Sequence, residues 1–77
     1  MNKDRRAAIA ALVERIDALK SDIESLRDEE QDYFDNMPEG FQSGDRGQAA
    51  EDAVSRMDDA ISELESAMEN LNSASGD

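Results

Sequence analysis

Large apolar side chains recur through the first half of the chain at positions 9, 12, 16, 19, 23 and 26, spaced 3, 4, 3, 4 and 3 residues apart. This is a heptad with Ile9, Ile16 and Ile23 at a and Leu12, Leu19 and Leu26 at d. The register continues to Glu30 at a, Tyr33 at d and Met37 at a. It predicts a first helix over about residues 3–36. Asn2 or Asp4 opens it, since a short polar side chain there accepts a bond from an unpaired backbone N–H. Pro38 ends it, because its ring disfavours helical backbone at the preceding residue.

The second half repeats the pattern. Ala50, Val54, Met57, Ile61, Leu64, Met68 and Leu71 are spaced 4, 3, 4, 3, 4 and 3, predicting a second helix over about 46–74 with a frayed tail at 75–77. Residues 53–59, 60–66 and 67–73 read AVSRMDD, AISELES and AMENLNS. Ala53, Ala60, Ala67 and Ala74 therefore line up at g, which widens the apolar face beyond a narrow a/d seam. Asp45 with Gln48 three residues later fits a variant of the capping box. Gly47 falls at an a position in the first turn, where a small residue leaves room for Phe41 or Phe34 to fold over the end.

Residues 33–48 hold all three aromatics (Tyr33, Phe34, Phe41), the only proline and three of the four glycines. A break of this length, about 37–45, suits antiparallel neighbours. The expected fold is a single all-α domain over 1–77, an antiparallel αα-hairpin of two long helices. Two helices alone leave Ala8, Ala11, Val13, Ala18 and the alanine stripe wet. The expectation is therefore a homodimer of hairpins forming an antiparallel four-helix bundle. Its core and dimer contacts would be Ile9, Leu12, Ile16, Leu19, Ile23, Leu26, Val54, Met57, Ile61, Leu64, Met68 and Leu71. Ile at a with Leu at d also suits a parallel two-stranded coiled coil.

Composition sharpens the need for a partner. The chain has 77 residues and neither cysteine nor histidine. Disulfides, thiolate metal sites and thiol nucleophiles are excluded, together with the commonest general base and transition-metal ligand. A core this small seldom supplies more than roughly 3–5 kcal/mol without such staples. Twenty Asp and Glu against eight Lys and Arg give a net charge of −12. That surface disfavours direct nucleic-acid binding and anionic membranes, and favours basic protein faces. The start is basic and then apolar, but Glu14, Arg15 and Asp17 interrupt it too soon for a signal peptide. The expected location is cytoplasmic.

Charge is also unevenly placed. Folded as a hairpin, Lys3, Arg5 and Arg6 are expected near Glu65 and Glu69 at the open end. Between Arg27 and Arg46 there is no basic residue, while Asp28, Glu29, Glu30, Asp32, Asp35, Glu39 and Asp45 are acidic. Carboxylates at a helix C-terminus oppose the macrodipole, costing a few tenths of a kcal/mol each. A local rule broken repeatedly points to function. The expected partner-binding residues are Asp28, Glu29, Glu30, Asp32, Asp35 and Glu39, with Phe34 or Phe41 as an apolar anchor. Three other readings compete: a merely solubilising face, a calcium loop and a catalytic carboxylate pair. Asp28, Glu30, Asp32 and Glu39 sit at loop positions 1, 3, 5 and 12, but Tyr33 occupies position 6, where the turn demands glycine. Glu29 and Glu30 with Asp32 lack a pocket to perturb them. No catalytic residue, metal or cofactor is expected.

The stretch YFDNMPEGFQ, followed by SGDRGQ and an alanine-spaced acidic helix, resembles a type of small acidic protein found in bacteriophages and mobile elements. Asn36, Met37, Pro38, Glu39, Gln42, Ser43 and Arg46 carry the resemblance, with Gly40 and Phe41 where Asn-Leu or Ser-Leu look more usual. It implies a phage-like setting, and by analogy an inhibitor of host defence such as an anti-CRISPR protein that occupies a DNA-binding site. The leading expectation is a non-enzymatic, dimeric hairpin that binds a basic site on a protein partner as a nucleic-acid mimic. The alternative is a structural or assembly adaptor that recruits partner helices through its apolar faces.

Overall fold

The computed structural model describes residues 1–76, whose regular structure is all helix, without a strand among the described residues. Helix α1 spans Lys3–Asp35, the one-turn helix α2 spans Glu39–Gln42, and α3 spans Asp45–Ser75. α1 and α3 run back along each other as a hairpin, with α2 packed on α3 at the tip. The result is a rod of 58 × 15 × 13 Å. A membrane-crossing helix is absent among the described residues, none being long and apolar enough. α3 runs through Ser75, and Asp77, the end of the expected frayed tail, lies outside the described residues.

The caps follow from local chemistry at one end and depart from expectation at the other. Asn2 caps α1, its Oδ1 accepting from the Arg5 backbone N–H at 2.8 Å. The capping box expected from Asp45 and Gln48 does not form. Gly44 is the N-cap of α3 and has no side chain to offer, while Asp45 is already the first helical residue. There its carboxylate still faces the positive end of the helix dipole.

The seam between the long helices is rotated from the expected one. On α3 the a/d row holds: Ala50 is 1% exposed, Ile61 is 7% exposed, and Val54, Met57, Leu64, Met68 and Leu71 are half-buried. On α1 the half-buried residues are Ile9, Val13, Ile16, Lys20, Ile23, Arg27, Glu30 and Phe34, joined by Glu24 at the seam's edge and by Met37 just past the helix end. The spacing from Ile9 to Phe34 alternates 4 and 3, but it joins the a row to the e row. The d row stands outside the seam: Leu12, Leu19, Leu26 and Tyr33 expose 43–56% of their surface. Tyr33, expected to pack as a d residue, is half-exposed.

Three e-row residues occupy the rotated seam. Lys20 reaches Glu65 at 3.6 Å, and Arg27 reaches Asp58 through Nη1 at 2.7 Å while its Nε bonds Asp28 at 3.2 Å. Long cationic side chains cover the seam with their stems and keep their heads at carboxylates on its rim. The Asp58 hydrogen bond holds the Arg27 guanidinium above its ordinary pKa, against partial desolvation and with further help from Asp28. At the tip, Phe34 fills the next e position. These pairs also set the register. Residue 20 stands level with 65 and residue 27 with 58, so each α1 residue faces the α3 residue whose number completes 85.

Candidate functional site

The tip is built by residues that each solve one backbone problem. Asn36 ends α1: its backbone N–H donates to Asp32 O at 3.0 Å, and its Nδ2 donates to the same oxygen at 2.8 Å. Pro38 caps α2, and its carbonyl accepts from the N–H groups of Phe41 and Gln42 at 2.8 and 3.1 Å. Gln42 then ties the turn back to α1, donating from Nε2 to the Phe34 carbonyl at 3.0 Å in a partly buried bond. Gly47 is buried where α3 passes under α2, and a Cβ there would overlap the Gln42 backbone. The space at Gly47 is thus taken by main chain, not by the ring of Phe34 or Phe41. Asn36, Pro38 and Gln42 each shape the turn.

The acidic residues expected to bind a partner sit around this tip, but not all in one plane. Asp28, Glu29, Asp32, Asp35 and Glu39 are exposed, whereas Glu30 lies on the seam and is half-covered. Asp28 and Asp35 continue the outer f row of α1, with Asp32 beside them at c. Helical geometry places these three along the outer side, stepped by about 4.5–6 Å of rise. Asp28 is drawn to Arg27, and Asp35 accepts from Gln31 Nε2 at 2.9 Å. Among the described residues, Glu29, Asp32 and Glu39 enter no ion pair. No basic residue lies in the last turn of α1 to offset the dipole.

The two phenylalanines separate. Phe34 is half-buried on the seam side and lines an open cleft of about 440 Å3 with Gln31, Glu51, Val54, Ser55 and Asp58. Phe41 is 58% exposed on the opposite flank, where a cleft of about 450 Å3 lies between Tyr33, Met37, Pro38, Phe41 and Arg46. Phe41 is therefore the more available anchor. The calcium-loop reading finds no geometry: Asp28, Glu30 and Asp32 diverge around α1. Among the described residues, no three potential metal ligands converge.

Sequence reasoning did not pick out the e row of α1, nor Gln42 and Gly47 as a mated pair. The first had a signal. Lys20 and Arg27 at e are matched by Glu65 and Asp58 at e on the other helix, the arrangement expected of antiparallel neighbours. The second had half a signal: Gly47 at an a position announces a close approach, but not that the Gln42 main chain makes it.

No protein-family model, curated protein or solved structure matches the chain.

Proposed function

We propose that the chain is a non-enzymatic protein-binding module, acting as a homodimer of hairpins whose acidic tips engage a basic surface on a protein partner. The observation that carries this reading is the end of α1, where Asp28, Asp32 and Asp35 stay exposed on one outer side with the dipole against them. Keeping such an array costs stability and serves no internal contact beyond the Arg27 and Gln31 bonds. A rigid row of carboxylates suits arginines and lysines that otherwise hold nucleic-acid phosphates. Phe41, exposed beside them, supplies an apolar anchor. In this reading the partner is a nucleic-acid-binding protein, and the module blocks access to its ligand, as an anti-CRISPR-like inhibitor does.

Displacement of a labelled DNA duplex from a host-defence nuclease tests it by fluorescence polarisation. Wild-type chain should displace the duplex, with affinity falling at least about tenfold between 50 and 200 mM salt. Asp28→Lys, Asp32→Lys and Asp35→Lys together should abolish displacement. Equal displacement by the triple variant would remove the electrostatic mechanism.

The adaptor reading has one observation in its favour, the exposed row Leu12, Leu19, Leu26 and Tyr33. Docking of a foreign helix there should change little with ionic strength.

A further inference from the structure

The exposed row of α1 has a neighbour on α3. Heptad geometry puts the ion-paired e rows on one flank of the antiparallel hairpin, and it puts the d row of α1 and the g row of α3 together on the other. The register set by the ion pairs brings Leu12, Leu19, Leu26 and Tyr33 within one residue of the levels of Ala74, Ala67, Ala60 and Ala53. The result is a continuous apolar ledge of large residues beside small ones, about 32 Å long from Leu12 to Tyr33 at 1.5 Å per residue. The ledge ends at Tyr33, short of the Phe41 ring at the tip.

Area indicates what covers it. A compact monomer of 8.5 kDa exposes about 4,650 Å² by the usual mass scaling, whereas this chain exposes 5621 Å². The excess of about 1,000 Å² is spread along a rod 58 Å long, and it exceeds the roughly 800 Å² that each partner contributes to a standard interface. Among the described residues, only Ala50 and Ile61 are buried hydrophobics within the hairpin. The hairpin by itself encloses little core.

Charge indicates how the cover is oriented. The tip half, residues 23–62, carries twelve acidic against three basic side chains. The remaining residues carry eight acidic against five basic, with Lys3, Arg5 and Arg6 clustered at the open end. Two hairpins laid tip to tip would stack the two most negative regions on each other. Reversing one sets each basic open end against the other's acidic tip.

Resting on the homodimer proposed above, we infer that a second copy of this chain covers the ledge head to tail, by a two-fold axis perpendicular to the helices near residues 22 and 23. That axis sets Leu19 against Leu26 of the second copy and Leu12 against Tyr33 of the second copy. It also brings Ala60 opposite Ala67 of the second copy, because both rows are centred at nearly the same level of the hairpin. Arg5, itself on the d row, falls opposite residue 40 of the second copy, next to Glu39. Arg15 falls opposite Glu29 on the interface edge. Asp22 and Glu63 flank the axis and meet their own counterparts, a cost screened at exposed edges. The outer carboxylates Asp28, Asp32 and Asp35 remain uncovered, one set at each end of the dimer. The assembled module is therefore bivalent for its partner.

Light scattering with size exclusion, joined to spin-label distances, tests this. A Cβ added at Gly40 would meet no atom within 4 Å, so Gly40→Cys with a nitroxide label leaves the fold intact. A species of about twice the chain mass and a label distance near 50 Å are expected, since each tip lies about 26 Å from the axis at 1.5 Å per residue. Leu19→Lys with Leu26→Lys should lower the mass to a monomer. A monomeric wild type overturns the dimer itself. A dimer with labels under about 25 Å apart overturns the orientation but not the dimer, and a dimer indifferent to the double lysine variant overturns the ledge. Tip binding by a monomer would leave the acidic-tip mechanism standing while removing this inference.

Discussion

Gly47→Ala is expected to destabilise the protein by about 2–3 kcal/mol, the scale of an overpacked core contact. The added Cβ would lie inside the Gln42 main chain, and backbone cannot swing aside as a flexible side chain does. Either α2 lifts off α3 or the first turn of α3 unwinds. Both routes break the Gln42 bond to the Phe34 carbonyl and loosen the tip that holds the carboxylates. The strain is purely steric, since no glycine among the described residues has positive φ. Gly40→Ala is the matched control. It lies in α2 with open space around it and should be neutral or stabilising by up to about 1 kcal/mol. Urea melts of the two variants followed by circular dichroism would check the contrast. Equal effects would mean that α2 does not rest on Gly47.

Ile61→Ala is expected to cost about 2–4 kcal/mol per chain, because a truncated buried isoleucine loses its transfer energy and leaves a cavity. Among the described residues Ile61 is the one large side chain that is buried, and it sits at the middle of α3. A chain of this size has roughly 3–5 kcal/mol in total, so most of the helical signal should vanish at micromolar concentration. Leu26→Ala gives the comparison. Leu26 is 56% exposed in the hairpin, so its loss should act through association and be largely recovered by raising protein concentration. Thermal melts over a hundredfold range of concentration separate the two effects. A negligible change for Ile61→Ala would remove the seam described above.

The hairpin was legible because each of its causes is local. A seven-residue apolar spacing, one proline and a run of glycines specify two helices and the break between them without any long-range information. The rotation of α1 was not legible in the same way. Leu12, Leu19 and Leu26 are better core residues than Lys20 and Arg27 by hydrophobicity, and a heptad reading within one helix assigns them inward. The opposite outcome depends on Asp58 and Glu65, which lie more than thirty residues further on. Phe34 shows the same limit: it had no place in the a/d ladder, yet it completes the e row. At the tip, sequence identified which residues gather but not their angles. Glu30 and Asp32 are two positions apart, and one lies on the seam while the other faces outward.

The rotation bears on the proposed dimer. By moving the leucine row out of the intrachain seam it leaves Leu12, Leu19 and Leu26 exposed on the hairpin, where an a/d seam in α1 would bury them within one chain.

Filtered nuclear Overhauser spectra on a sample mixing isotope-labelled and unlabelled chains measure this directly. The account predicts contacts from the Ile16 and Ile23 methyls to α3 within one chain, and contacts from the Leu19 and Leu26 methyls that cross between chains. Leucine methyls contacting only α3 of their own chain, with no signal between chains, would contradict it.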